Sequence, residues 1–131
     1  VTVQLFKSGS SSAAYNTTVK GNSATYTISG ITSGTYTMKV SKKNHVTREY
    51  SVTVSTGTKT QNAQIYLLGD VNLDGRVNTM DCTRLFKHVN KTQLLTDAYA
   101  QKCADTNGDG RVNTMDCTAL FKHVNKTKPL W

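Results

Sequence analysis

Clustered aspartates are the residues in this sequence best suited to chemistry. Of the eight acidic residues in the chain, six fall into two sets of three with the same internal spacing: Asp70, Asp74 and Asp81, then Asp105, Asp109 and Asp116. This concentration, in a chain that otherwise avoids acids, indicates a binding requirement and not a solvated surface. Carboxylates gathered in this way are typical of a site for a hard metal cation.

The two sets lie in a near-perfect repeat. The stretch "DGRVNTMDCTRLFKHVNKT" begins at Asp74, and it recurs from Asp109 with one change, Arg84 to Ala119. Extending the comparison back to Asp70 and Asp105 adds two further differences. Whatever the first copy binds or builds, the second copy is expected to bind or build as well.

Oxygen-bearing residues occupy places one, three, five, nine and twelve of each repeated loop, with glycine at place six, where the chain must turn sharply. Place seven is an arginine, which can offer its backbone carbonyl. This is the spacing of an EF-hand calcium loop. Ordinary turns rich in Asp, Asn and Gly would not place the glycine and the closing aspartate identically twice. The sequence predicts two Ca²⁺ ions with these ligands: Asp70, Asn72, Asp74, Arg76, Asn78 and Asp81; Asp105, Asn107, Asp109, Arg111, Asn113 and Asp116.

Both loops depart from an ordinary EF-hand. Place twelve is aspartate where EF-hands carry a bidentate glutamate. The first loop also lacks an entering helix, because the preceding "QIYLLG" reads as a strand. A calcium sensor that opens a groove between paired helix–loop–helix units is therefore disfavoured.

Residues 1–68 have the period-two pattern of strands. The stretches "VTVQLF", "ATYTIS", "TYTMKV", "EYSVTV" and "AQIYLL" are separated by turn signals such as "SGITSG" and "STGT". Short alternating strands at this spacing predict an all-β antiparallel sandwich, Ig-like or prealbumin-like, with a boundary near Leu68–Gly69.

Residues 69–131 switch to helical periodicity. On a helical wheel, Cys82, Leu85, Phe86 and Val89 form one stripe, and the opposite side carries a set of polar residues and one methionine: Met80, Arg84, Lys87 and Lys91. We predict amphipathic helices over roughly 79–90 and 114–125. Between them, "TDAYAQKC" predicts a shorter helix with Thr96 as its N-cap.

Several function classes are disfavoured. The net charge of +8 comes from scattered lysines and arginines without a basic block or interleaved aromatics, so nucleic-acid binding is not expected. No catalytic set is visible, so we do not expect an enzyme. The three cysteines have no zinc-like spacing and replace apolar residues. No apolar run is long enough to span a membrane.

Residues 69–131 resemble type I dockerins: two loop–helix units without a full entering helix, aspartate at place twelve, and a short connecting helix. The resemblance implies calcium-dependent binding to a cohesin module. It also implies a bacterial protein that is secreted or attached to the cell surface, in a cellulosome or related polysaccharide-degrading complex, and monomeric when free. Residues 1–68 look like the small β-sandwich X modules (carboxypeptidase-regulatory-like) that precede some dockerins, here a support or spacer.

By the same resemblance, cohesin contact falls on the helix face around the two residues before the closing aspartate and further along the helix. Met80 fits this independently, since it is an apolar residue on the polar side of the wheel. Phe86 borders the core stripe, and both inward and outward packing stay open. The cohesin-binding set is Thr79, Met80, Thr83, Phe86, Lys87 and Lys91, with the copies Thr114, Met115, Thr118, Phe121, Lys122 and Lys126.

Two further expectations follow from the family. Duplicated outward faces imply a dual binding mode, in which one cohesin surface grips either copy. Type I dockerins also often join their two ends, which would place Trp131 on Tyr66 or Leu68; a frayed tail is the alternative. The runner-up function is a carbohydrate-binding β-sandwich with a dockerin attached, although most tyrosines lie on the predicted inward faces.

Overall fold

The computed structural model describes all 131 residues and divides into two units. One unit comprises residues 1–43 and 47–65, and the other comprises residues 44–46 and 66–131. No helix in either is long and apolar enough to cross a bilayer.

The first unit is built on one antiparallel sheet of four strands. The strands are β1 (Thr2–Lys7), β2 (Tyr15–Thr18), β3 (Gly34–Ser41) and β4 (Arg48–Val54), in the spatial order β2-β1-β3-β4. The central strand β3 pairs with β1 through Leu5 opposite Met38 and with β4 through Met38 opposite Tyr50. The strands predicted at the start of the chain and at "TYTMKV" and "EYSVTV" are confirmed.

Alternation along the strands buries one face of this sheet. The buried side chains come from β1, β3 and β4: Val3, Leu5, Tyr36, Met38, Val40, Val52 and Val54. Because successive side chains of a strand point to opposite faces, the threonines and lysines between them lie on the other face. The alternation in β3 and β4 therefore corresponds to one buried face and one open face.

A two-sheet sandwich is not confirmed. The predicted strand "ATYTIS" forms no ladder; it covers the buried face with Tyr26 and Ile28 as irregular chain. This segment is linked to a later part of the chain by a side-chain hydrogen bond, in which the Tyr26 hydroxyl donates to the Gln61 carbonyl. "AQIYLL" is also not a strand, and only Leu67 forms an isolated bridge, to His45.

The second unit contains three helices: α1 (Thr79–Val89), α2 (Ala98–Ala104) and α3 (Thr114–Val124). The two long helices confirm the predicted ranges within one residue. The short helix is also confirmed, but Asp97 caps it in place of Thr96, because the Asp97 carboxylate accepts from the amides of Tyr99 and Ala100. No β-bridge joins the two repeated loops, so an EF-hand pair is not confirmed.

Equivalent leucines of the two repeats lie at the centre of the second unit. Leu85 of α1 and Leu120 of α3 are completely buried, and the same cluster contains Val71, Leu95, Ala100 and Ala104. Residues 44–46 belong to this unit as well: the Val46 amide donates to the Tyr66 carbonyl, and the Tyr99 hydroxyl donates to the Val46 carbonyl.

The chain end returns to the start of the second unit through a different residue from the one expected. Leu130 packs against the helical core and lies over Gly69. Trp131 stacks on His123, with ring centroids 4.4 Å apart. The ends therefore meet through Leu130 and Gly69, whereas the expected contact of Trp131 with Tyr66 or Leu68 is replaced by its stacking on His123.

Candidate calcium loops and partner-binding face

The first aspartate of each loop organises the turn that follows it. Asp70 accepts hydrogen bonds from the amides of Asp74 and Gly75, at 3.1 and 2.8 Å. Asp105 accepts from Asp109 and Gly110 at the same two distances. The φ angles of Gly75 and Gly110 are 87° and 83°, a conformation that glycine adopts without steric cost. The glycine at place six is thus required by the turn.

The closing aspartate ties the loop to its helix. One oxygen of Asp81 accepts from the amides of Val71 and Asn72, and the other accepts from the amide of Asn78. Asn78 is the N-cap of α1, with its side chain accepting from Met80 at 2.7 Å, so Asn78 and Asp81 form a capping box. The sequence analysis missed this double role, although Asn-x-x-Asp before an amphipathic run was a visible signal.

The closing aspartate of the second loop is held in a similar way, and one of the two sequence differences between the loops lies beside it. Asp116 accepts from Asn107 and from Asn113, the N-cap of α3. Where the first loop has the buried Val71, the second has the buried Thr106, whose hydroxyl donates to the Asp116 carbonyl and lies 3.4 Å from its carboxylate. The two loops are therefore alike in backbone and differ in one neighbour of the closing aspartate.

Buried carboxylates in these loops form no ion pair with a lysine or arginine side chain. Asp70, Asp81 and Asp116 are inaccessible to solvent. Burial raises the pKa of Asp70, and the nearby charges of Asp81 and Asp74 raise it further. Burial likewise raises the pKa of Asp81. Because buried charge is costly unless it is paired or coordinates a metal, these carboxylates call for a positive ligand.

The donor atoms suit a calcium ion. No three Asp, Glu, His or Cys side chains form a metal site by themselves, so any ion would also need amide and carbonyl oxygens. Each loop supplies these from its two asparagines and its arginine carbonyl. A set made only of oxygens matches Ca²⁺, which takes six to eight of them. A Ca²⁺ ion bound there would offset the negative charge of the buried carboxylates.

The helix face expected to contact a partner is exposed. Met80 and Met115 are 64% and 65% exposed, and Phe86 and Phe121 are both 59% exposed. Phe86 therefore points outward, although the helical wheel placed it at the border of the core stripe. The remaining predicted contacts Thr79, Thr83, Lys87, Lys91, Thr114, Thr118, Lys122 and Lys126 are exposed as well.

Two of these lysines do not lie on a helix. Helix α1 ends at Val89 and α3 at Val124, so Lys91 and Lys126 belong to the turns that follow. Both adopt left-handed φ angles, 59° and 58°. Their placement further along the same helix was therefore wrong, and the lysines extend from the turn at the helix end.

A shallow groove runs between α1 and α3. It is lined by the same three positions of each repeat: Cys82, Thr83 and Phe86, with Cys117, Thr118 and Phe121. Burial raises the pKa of the Cys82 thiol, as do the neighbouring Asp81 and Cys117. Both thiols are only partly buried, whereas Cys103 is wholly buried; only Cys103 matches the expected buried apolar role completely.

Two histidines hold the chain segments that leave the long helices, a role that the sequence analysis missed. His88 Nδ1 accepts from the Leu95 amide at 2.9 Å, and His123 Nδ1 accepts from the Leu130 amide at 3.1 Å. Their identical places in the repeats were the available signal. Arg84, the residue that differs between copies, donates to the carbonyls of Gln93 and Leu94.

Comparison with known proteins agrees with this geometry for the second unit. No curated protein matches the chain, and the resemblance of residues 1–68 to an X module is not confirmed. Residues 68–125, which contain the capped helices, the duplicated oxygen-lined loops and the short connecting helix, match the family model of the Dockerin type I domain.

Proposed function

We propose that this protein is an anchoring module whose α1 and α3 faces bind a cohesin once both loops hold calcium. The dockerin match implies calcium-dependent protein–protein anchoring through a cohesin. The observation that carries the proposal is the exposure of Met80, Phe86 and their copies on helices that begin at loops with buried carboxylates. Exposed apolar side chains grouped on one surface mark interaction sites.

Calcium would promote partner binding indirectly, by stabilising the helices that carry the binding face. Asp81 and Asp116 each join a loop to the first turn of a helix, so neutralising their charge stabilises the helix that carries the binding face. Metal binding free energy then becomes folding free energy. We propose one ion in each loop, with Asp74→Ala and Asp109→Ala each removing one ion from the two counted by calorimetry.

A pull-down tests the partner. The full chain is immobilised and offered a panel of cohesins in calcium and in chelator. We expect retention of at least one cohesin only in calcium. The matched control is Leu94→Ala, which removes an exposed apolar side chain outside the proposed face. Retention that persists in chelator, or no retention in calcium, would argue against the function.

The duplicated face supports a dual binding mode. Changing Met80 and Lys87 together should cost little affinity, because the second copy takes over; changing Met115 and Lys122 together should do the same. Changing all four should abolish binding. Loss of binding in one double variant, with wild-type binding in the other, would mean that only one copy is used.

The wider setting is also a proposal. We place the protein outside the cell, as a non-catalytic, monomeric attachment device for a bacterial polysaccharide-degrading complex such as a cellulosome. The first unit would serve as support or spacer, which is supported by its folded four-stranded sheet. Equal stability and cohesin affinity of the full chain and of residues 69–131 alone would contradict the support role.

A further inference from the structure

The groove between α1 and α3 is made of matched pairs. Each lining residue has its repeat equivalent on the opposite wall: Cys82 with Cys117, Thr83 with Thr118, and Phe86 with Phe121. A site built this way presents the same walls to a partner that arrives in either of two orientations. The outer residues Met80 and Met115 do not line the groove.

The chemistry of the walls specifies an apolar occupant. The two phenylalanine rings are 59% exposed each. The threonine hydroxyls already donate within their own helices, Thr83 to the Thr79 carbonyl and Thr118 to the Thr114 carbonyl. The groove therefore offers rings and thiols to a ligand, with its hydroxyl protons already engaged.

The rim specifies the charge around that occupant. Lys87 and Lys122 follow the two phenylalanines directly and are exposed. The only acids on the long helices, Asp81 and Asp116, are buried and hydrogen-bonded to their loops. A partner that fits must present an apolar side chain surrounded by carboxylates.

We propose that this groove is a single shared anchor, in which one apolar side chain of a cohesin, ringed by acidic residues, contacts Phe86 and Phe121 at the same time. The proposal rests on the cohesin-binding function above and deepens it. The outer faces would be used one at a time, whereas the groove is used in both orientations. Central, well-packed contacts of this kind hold most of the energy of an interface.

Single substitutions separate the shared anchor from the alternating faces. With the cohesin retained in the pull-down as probe, Phe86→Ala alone and Phe121→Ala alone should each weaken binding by about tenfold or more. Met80→Ala or Met115→Ala alone should change affinity little, and Leu94→Ala serves as the surface control. Helical circular dichroism in calcium checks that each variant is folded. A loss in only one phenylalanine variant, or in neither, overturns the proposal.

A second probe keeps the groove testable if no cohesin binds, a result that would remove the proposed function itself. Anilinonaphthalene sulfonate is apolar and anionic, so it matches the rings and lysines of the groove. Its affinity for the calcium-loaded full chain should fall by a similar factor in both phenylalanine variants and stay unchanged in Leu94→Ala. Unchanged affinity in either phenylalanine variant overturns the shared groove. A wild-type dimer that Phe86→Ala converts to monomer would assign the groove to a second copy of this chain, and would also overturn it.

Discussion

Gly69 is the one glycine of the second unit at which an added side chain would meet neighbouring atoms, so a single methyl group there tests how tightly this part of the unit is packed. A Cβ at this position would lie 2.9 Å from Leu120 Cδ1, and 3.2 Å from both Leu130 Cδ1 and Val77 Cγ1. Leu120 is completely buried, so its side chain has little room to withdraw. The Gly69 amide also donates to the Cys103 carbonyl, which holds the backbone in place.

Two costs add in the variant Gly69→Ala. The φ angle of Gly69 is 96°, and left-handed conformations cost an L-residue about 1–2 kcal/mol. Overpacking a filled core adds about 1–3 kcal/mol. We therefore expect the free energy of unfolding of the second unit to fall by about 2–5 kcal/mol, which lowers Tm by at least about 8 °C in a unit of this size.

Gly108→Ala is the matched control. Gly108 has a φ of 73°, and a Cβ there meets no atom within 4 Å. Its repeat equivalent, Leu73, already holds a φ of 59°, so a side chain is accepted at this place. Urea unfolding in excess calcium, followed at 222 nm, reports on the second unit because all three helices belong to it. If Gly69→Ala unfolds no more readily than Gly108→Ala, the packing argument at Gly69 is wrong.

Three further results are expected. His88→Ala leaves the amide of the buried Leu95 without its acceptor, and should cost about 1–3 kcal/mol in urea unfolding; a cost near zero would show that water replaces the imidazole. Arg84→Ala removes hydrogen bonds made at the surface and should cost less than about 1 kcal/mol, as Ala119 in the second copy suggests; a large loss would contradict this. The pKa values of Asp70 and Asp81 are raised in the folded, calcium-free protein. Above their ordinary pKa of about 4, these two carboxyls therefore bind more protons in the folded state than in the unfolded state. Their contribution to the free energy of unfolding is greatest below that pH and is lost as pH rises through the folded pKa values. The helical signal should therefore weaken over this pH range and recover when calcium is added. A signal that does not change with pH would contradict the argument from buried charge.

Most features of the second unit follow from local patterns in the sequence. Period-3.6 stripes gave α1 and α3 within one residue, because an amphipathic helix is a local pattern that burial of one face stabilises. The spacing of aspartate, asparagine and glycine in each loop likewise depends on neighbours a few residues away. A repeat of this length also fixed which residues of the two copies are equivalent, such as Leu85 and Leu120.

Features that depend on contacts between distant segments could not be predicted in this way. "ATYTIS" alternates as well as any strand in the chain, yet it forms no ladder, because strand formation requires a neighbouring backbone that the pattern alone does not supply. Phe86 lies at the border of the apolar stripe, and the position of α3 left it outside the core. Leu130 reaches Gly69 only because the chain reverses after α3, so no local signal could distinguish it from Trp131.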